Sequence, residues 1–457
     1  MKTPSYIAKY TLLFLMGISS HQTSHAQSTS DKALEIAESP LEVKKETSMA
    51  VIRELVLQSI MRNPELAQAE AENRQIISRW RQARAGVLPQ ASVTMGYGQE
   101  NRNYSLTNSD NRYKDQYQMQ LRLSQPLMDA SIIAKIKQSK AQALGGDWLL
   151  VSVREQTMLK AIELYAELVR QSSLVVLARE NLKLHRKYVG QMKEIARVDL
   201  GRASDLPVAQ SRVSLAESVL TVRLSRLEAT RAQWRAHTTL PSPEQSAVGT
   251  EPIVLFTLPS VDWPLSVDEA IYQAVESSPQ LQKVLSETVV NQESLQIARA
   301  ATLPKLNVEI QNQRANNFGG IFGAQRTWYT GLNMQWAWDA GAGHSRQAAL
   351  SGIRASEEAV DAQVLKIKAA VESQWFELQA SQAVLESYEA YEEQSSEVVQ
   401  SYAEQFRIGR RSLLDVLNAE NELFTARSNA LTTRVDVSLA SWRLLSLRGL
   451  LSEELGL

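Results

Sequence analysis

The sequence predicts an internally duplicated α+β membrane protein, in which four β-strands per chain contribute to a barrel and long α-helices form a coiled stalk. Three observations carry this prediction: the order of elements occurs twice, four segments alternate apolar and polar residues, and two helical patterns run for 67 and 64 residues. With only 19 Gly and 13 Pro in 457 residues, an all-β or disordered chain is disfavoured.

Composition excludes several classes of function. Lys+Arg number 49 and Asp+Glu 50, so there is no basic surface that would favour nucleic acid. The absence of Cys rules out disulfides, zinc-thiolate sites, a thiol nucleophile and a lipid-anchoring cysteine. No His pair has metal-ligand spacing and no phosphate-binding loop occurs, so we expect no catalytic, cofactor or metal site.

Residues 1–26 have the three parts of a signal peptide. Lys2 and Lys9 precede the apolar run 11–18, and Ser24-His25-Ala26 is a small-x-small cleavage site. The mature chain is therefore expected to leave the cytoplasm. Residues 27–47 are interpreted as a polar leader without clear structure.

The chain is duplicated. A shift of 215 residues aligns 48–90 with 263–305 without a gap, and Asn63-Pro64-Glu65-Leu66 falls on Ser278-Pro279-Gln280-Leu281. We therefore expect two structural repeats in which helix, two strands, long helix, turn and return helix follow one another. The predicted boundaries are 48–237 for the first repeat, 238–266 for a proline-rich linker around the waist of the stalk, 267–448 for the second repeat and 449–457 for a tail.

The predicted strands alternate with a period of two. In 117–124 every odd position is apolar and every even one polar, and the same pattern occurs in 92–97, 306–311 and 328–338. Strands of about 8–11 residues can cross a bilayer when tilted. Aromatic side chains near the strand ends would lie at the membrane interface: Tyr113, Trp328, Trp336 and Trp338. The alternative is a soluble sandwich or a sheet packed on helices.

Four strands cannot close a barrel, and an open edge is not viable in lipid. Several copies must then share one barrel. Two copies would give eight strands with a filled interior, and three would give twelve strands with room for a lumen.

The predicted helices fit together by length. Ile132–Val198 and Gly343–Phe406 would each be about 100 Å long, and the return helices and the helix Val267–Ala301 about 50 Å. One continuous helix can therefore pair with two stacked half-length helices. Gly145-Gly146 marks a candidate kink. A heptad seam of core residues supports coiled packing: Leu413, Leu417, Phe424, Leu431, Val435, Trp442 and Leu445.

The stretch 406–424, together with the duplication and the Asn-Pro-Glu-Leu motif, resembles TolC-family outer-membrane export ducts, and in particular their type I secretion branch, over essentially the whole mature length. The resemblance implies a homotrimer with a twelve-stranded barrel in the outer-membrane lipid and a helical tunnel through the periplasm. It also implies a periplasmic adaptor protein and an inner-membrane transporter of the ABC type as partners, and a large adhesin or toxin as cargo. Small-molecule efflux and a soluble periplasmic coiled-coil scaffold are the alternatives.

The turns between long and return helices carry the predicted gate. Gly409 should end its helix in a left-handed conformation, and Ser412 should cap the next helix with Asp415 three residues on. Ser204-Asp205-Leu206-Pro207 should play the same part in the first repeat.

The resemblance places these turns at a closed periplasmic tip. It implies that Arg411 bonds to Ser204 and Asp205 of a neighbouring hairpin and that Asp415 forms a ring of three carboxylates in the lumen. Asn418 and Phe406 stand where the family often has an acid and a tyrosine. The resemblance also implies adaptor docking at both tips: Gly201, Arg202, Ser204, Gly409, Arg410 and Ser412.

Overall fold

The computed structural model describes residues 40–100, 114–198, 204–242, 263–318 and 323–457. The chain divides into a unit ending at Val43, of which only residues 40–43 are described, and the unit Lys44–Leu457, to which the following contacts belong. The predicted signal peptide and most of the linker 238–266 lie outside the described residues.

Both repeats contain the same series of elements. The first consists of α1 (Pro40–Arg62), α2 (Pro64–Ala85), β1 (Gln90–Glu100), β2 (Lys114–Met128), α3 (Ala130–Val198) and α4 (Asp205–Thr238). The second consists of α5 (Val267–Ser277), α6 (Pro279–Ala300), β3 (Lys305–Asn316), β4 (Ala324–Gln335), α7 (Ala342–Arg407) and α8 (Leu413–Leu447), followed by the short α9 (Leu451–Leu455).

The helix before the strands is broken in two in each repeat, so the expected single helix 267–301 is wrong. Asn63 and Ser278 are extended, and each side chain accepts a hydrogen bond from the backbone N–H three residues on, while proline occupies the first helical position. That cap and proline together start a new helix. The expectation of no regular structure over 27–47 is also wrong at its end, since α1 begins at Pro40.

The four strands form one antiparallel sheet in the order β1-β2-β3-β4. β1 and β2 pair without interruption from Gln90↔Ser124 to Glu100↔Lys114, and β3 and β4 from Lys305↔Gln335 to Asn316↔Ala324. The two repeats meet where β2 pairs with β3, with a register shift between Pro126 and Met128. Because proline cannot donate to a ladder, the irregularity falls where the ladder is weakest.

The long helices are continuous. α3 has 69 residues and α7 has 66, so each is about 100 Å long. α3 packs against the shorter α2, α4, α6 and α8, and α7 against α5, α6 and α8. The expected pairing of one long helix with shorter ones is therefore confirmed. No described helix has both the length and the low charge that a membrane-spanning helix needs.

Gly145 and Gly146 do not interrupt α3. A Cβ on Gly146 would lie 2.8 Å from Oδ1 of Asn73 in α2, and one on Gly145 would lie 3.3 Å from Cβ of Ser286 in α6. The two glycines therefore let α2 and α6 approach α3 closely at one level of the stalk.

Apolar side chains fill three clusters along the stalk. The largest joins α1, α3, α4, α8 and α9 around Trp234 and Trp442, both 0% exposed. The second joins α5, α6, α7 and α8 around Val371 and Leu444. The third lies beside the hairpin turns around Met192 and is described below. All the predicted heptad residues of α8 are buried except Phe424, which is half-buried.

Candidate functional site

The turn after α7 has the geometry that its glycine predicts. Gly409 has φ +75°, and its N–H donates to the Phe406 carbonyl at 3.0 Å. The N–H of Arg410 donates to the Gln405 carbonyl at 2.9 Å. These two bonds form a Schellman motif, which satisfies carbonyls that the helix end would leave free.

The return helix α8 is capped as predicted. Oγ of Ser412 accepts a hydrogen bond from the Asp415 N–H at 3.2 Å, and its hydroxyl donates to Oδ2 of Asp415 at 2.8 Å. Nη1 of Arg411 lies 3.6 Å from the same carboxylate oxygen. Asp415 therefore stabilises the turn through contacts within its own chain, and these contacts do not require an assembly.

Arg411 is held within its own hairpin. Its Nε donates to Oε1 of Gln405 at 3.0 Å, and its guanidinium lies 3.7 Å from the centre of the Tyr402 ring. This stacking, the hydrogen bond to Gln405 and the ion pair with Asp415 orient the arginine at the tip. A bond from Arg411 to Ser204 and Asp205 of a neighbouring hairpin stays a prediction.

The first-repeat turn is built differently. Ser204 has helical dihedral angles and makes no side-chain cap, so the expectation that it plays the part of Ser412 is wrong. Asp205 is the first residue of α4 and Pro207 lies in its first turn, as predicted. Gly201 and Arg202 lie outside the described residues, and adaptor docking at both tips stays a prediction.

Phe406 and Asn418 contribute to contacts between the two hairpins. Phe406 is half-buried against a cluster of Tyr188, Met192 and residues that begin α8. Oδ1 of Asn418 accepts a hydrogen bond from Nη2 of Arg212 in α4 at 2.9 Å. An acid at position 418 would turn this bond into an ion pair.

A buried polar contact beside the tip was not predicted from the sequence. Tyr188 in α3 and Glu420 in α8 are each 8% exposed, and the tyrosine hydroxyl donates to Oε1 of Glu420 at 3.1 Å. Burial raises the pKa of Glu420, and the bond from Tyr188 and the charges of Arg427 and Lys187 offset this only in part. Burial and the nearby carboxylate raise the pKa of Tyr188.

The heptad pattern of α8 could have predicted this contact. Leu413, Leu417, Glu420 and Phe424 step by four, three and four, so Glu420 occupies a core position of the seam. A carboxylate at a core position requires a partner on the facing helix. His185, one turn before Tyr188, is 3% exposed, and burial and the charge of Arg212 lower its pKa.

The sheet has one apolar and one polar face, as predicted. Side chains that pair directly across strands share a face. Met95 pairs with Met119, and both are exposed. On the other face Arg122 forms an ion pair with Glu309, which also accepts a bond from Asn333.

The predicted interfacial tryptophans are exposed. Trp328 lies within β4, while Trp336 and Trp338 follow its end, so β4 ends earlier than expected, at Gln335. The exposed fractions are 68%, 72% and 87%, and Nε1 of Trp336 donates to the Thr302 carbonyl. Tyr113 lies outside the described residues. The position of these rings at a membrane interface stays a prediction.

An amphipathic four-stranded sheet joined to two helices of about 100 Å, each packed against shorter helices, defines a class of protein, the outer-membrane channel protomers with a periplasmic tunnel. The family model described as outer membrane efflux protein matches residues 55–240 and 270–450. The chain belongs to this family. It is therefore an outer-membrane protein of a family of transport channels, and not an enzyme.

Individual relatives are distant. The outer membrane efflux protein BepC of Brucella suis is 22% identical over 310 residues, which cover 66% of this chain and 65% of BepC. The outer membrane protein TolC of Vibrio cholerae is 21% identical over 421 residues, 88% of this chain and 91% of TolC. The solved outer-membrane channel OprN is 18% identical, with a TM-score of 0.74 over 94% of this chain and 98% of its own. The likeness to OprN concerns the fold alone.

Proposed function

We propose that three copies of this chain form a passive conduit from the periplasm across the outer membrane, as one component of a tripartite export system. The observation that carries the proposal is the amphipathic sheet joined to two helices about 100 Å long. The apolar face suits lipid and the polar face suits an aqueous lumen.

The sheet edges require more than one copy, and the need for a lumen favours three. Among the strands that the structure describes, β2 and β3 have a partner on both sides, whereas β1 and β4 each have one partner and form the two edges of the sheet. Lipid does not tolerate free edges, and β4 of one copy can pair with β1 of the next just as β2 pairs with β3. Three copies give twelve strands and an open lumen.

The partners belong to the same proposal. A periplasmic adaptor would dock at the tips, and an inner-membrane transporter would drive cargo into the tunnel. For the transporter we propose the ABC type, and for the cargo a large secreted protein. The support for this finer proposal is the resemblance of residues 406–424 to the type I secretion branch.

Small-molecule efflux is the second candidate, because the relative BepC is an outer membrane efflux protein by name. The soluble coiled-coil scaffold is disfavoured, since the family match covers both repeats and the sheet exposes an apolar face.

Two measurements test the proposal. The mature protein, purified in detergent and inserted into planar bilayers, should be a trimer with single-channel conductance, and a water-soluble monomer without conductance would refute the conduit. A strain lacking the gene should lose a large protein from its culture medium while its drug susceptibility stays unchanged. Increased susceptibility with an intact set of secreted proteins would instead support efflux.

A further inference from the structure

This inference rests on the proposed trimer. Among the described residues of one copy, one side of α4 and one side of α7 have no helix packed against them. Within one copy α7 packs on α8, α8 on α3, and α3 on α4, and a smaller contact that includes the Arg212–Asn418 bond joins α4 to α8. The series therefore begins with α7 and ends with α4. In a closed ring, α4 of one copy meets α7 of the next.

The duplication supplies a template for that contact. Trp234 of α4 and Trp442 of α8 are both 0% exposed and lie 208 residues apart, the same distance that separates Gly201 from Gly409. α8 therefore corresponds to α4, and α7 to α3. The observed contact of α8 with α3 corresponds to the contact of α4 with α7 of the next copy.

The template also sets the register. Inside one copy Tyr188 of α3 bonds to Glu420 of α8. Adding 208 to the number of Tyr188 gives Ser396 of α7, and subtracting 208 from that of Glu420 gives Arg212 of α4. Ser396 should therefore lie level with Arg212 of the neighbouring copy. In this register four arginines of α4 each lie level with a glutamate of α7, to within one residue. The four matched levels are Arg212 with Glu397, Arg223 with Glu386, Arg231 with Glu377, and Arg235 with Glu372.

The two helices have opposite charge. Between 369 and 406, α7 contains eight Glu and neither Lys nor Arg. α4 contains five Arg and three acidic residues. Opposite charges along facing helices favour encounter and fix their register.

Several of these charges lack a counter-ion within one copy. Among the described residues, Arg223 and Arg235 have no carboxylate within ion-pair distance, and the same part of the chain offers no cation to Glu372, Glu386 or Glu397. Burial and the adjacent Arg226 lower the pKa of Arg223, so this half-buried site has an excess of positive charge. Arg212 and Arg231 already bond to Asn418 and Glu228.

We propose that each copy docks on the next through a ladder of arginine–glutamate pairs, in which α4 of one copy faces α7 of its neighbour at the four matched levels. The partner on this surface is a second copy of the chain. The ladder makes assembly of the ring directional and salt-sensitive, because mobile ions screen exposed pairs.

Charge reversal at one level tests the ladder. Arg223→Glu and Glu386→Arg should each raise the dissociation constant of the detergent-solubilised trimer about tenfold. The double variant R223E/E386R should recover most of the loss. The mismatched double R223E/E372R joins two different levels and should recover nothing. Circular dichroism of each variant checks that its helices are intact, and the milder pair Arg223→Gln and Glu386→Gln replaces any variant that does not fold.

Cross-linking gives an independent measurement, since the chain contains no Cys. Arg223→Cys combined with Glu386→Cys should form a disulfide between copies, whereas Arg223→Cys with Glu372→Cys should not. Unchanged dissociation and salt dependence in the single reversals, or equal recovery in both doubles, would overturn the ladder while leaving the trimer intact. A monomeric wild-type protein would overturn the proposed function as well.

Discussion

Arg411 is the residue that the gate hypothesis uses most. It bonds to Gln405, stacks on Tyr402 and contacts Asp415. A serine at 411 removes all three contacts and any bond to a neighbouring hairpin. We expect Arg411→Ser to raise conductance and to admit large antibiotics into cells.

Arg411→Lys is the matched control, because it keeps the charge and loses the planar stacking. If the gate depends on the charge of residue 411 alone, the channel of the lysine variant should stay closed. Unchanged conductance and unchanged antibiotic entry in the serine variant would remove Arg411 from the gate.

Asp415 would place three carboxylates at the tip of a trimer. Carboxylate oxygens are the ligands that divalent cations prefer, so such a ring should bind these cations and block the pore. We expect Asp415→Ala to weaken divalent block measured in planar bilayers. The Ser412→Ala variant is a control, since it removes the cap and keeps the carboxylate. Equal block in wild type and Asp415→Ala would place Asp415 outside the lumen.

Glu155 of α3 should make stability depend on pH. It is 9% exposed, and burial raises its pKa from 4.5 to about 7. The folded state then binds a proton that the unfolded state releases, so this residue lowers stability as pH rises from about 4.5 through 7. We expect Glu155→Gln to raise the melting temperature at pH 8, by an amount equivalent to at most about 3 kcal/mol.

The gain from Glu155→Gln should vanish near pH 4, where both states of the wild type are protonated. Melting curves of the two proteins across this range are the measurement. A gain that does not vary with pH would mean that the glutamine acts through packing and not through the proton.

At the scale of elements, Gly146 determines how closely α2 approaches α3. An alanine Cβ there would meet Asn73 Oδ1 at 2.8 Å, whereas nothing lies within 4 Å of a Cβ on Gly190 in the same helix. Alanine ordinarily stabilises a helix interior by about 0.5–1 kcal/mol over glycine. We expect Gly190→Ala to stabilise the protein and Gly146→Ala to destabilise it by about 1–3 kcal/mol, as overpacking does.

Chemical denaturation of both variants gives the comparison between the two glycines. Equal stabilisation by the two alanines would show that α2 moves away from α3 without penalty. The close approach of these helices would then have no energetic importance.

Elements were predictable where a local pattern determines them. The structure confirms three such predictions: the period of two in β2, the glycine at 409 and the serine at 412. Each of these signals depends only on residues close by in the chain. The breaks at Asn63 and Ser278 were visible as caps before proline, but the wider helical pattern concealed them. Contacts such as Tyr188 with Glu420 depend on how two hairpins align, and a single helix does not contain that information.

At the scale of the whole molecule, the orientation of the sheet decides whether the chain enters a membrane. Leu121 and Gln120 are neighbours near the middle of β2 and lie on opposite faces. An arginine on the lipid face near the bilayer midplane costs about 2–4 kcal/mol, whereas a lumen face accepts it. We expect Leu121→Arg to reduce the folded trimer in outer-membrane fractions and Gln120→Arg to leave it unchanged.

Immunoblots of separated membranes measure both substitutions. If Gln120→Arg were the harmful change and Leu121→Arg the tolerated one, the sheet would be turned inside out relative to the proposal. Equal tolerance of both arginines would indicate that β2 does not lie in lipid.

The β2–β3 contact has a consequence for the history of the molecule. It joins two halves of one chain through a junction that the proposed ring repeats between chains, so the proposed pore would have approximate sixfold symmetry built from three polypeptides. An ancestor with a single half would have needed six subunits to close the same ring. In a fused chain the two tips can differ, and here they do: Ser412 caps its helix, whereas Ser204 does not.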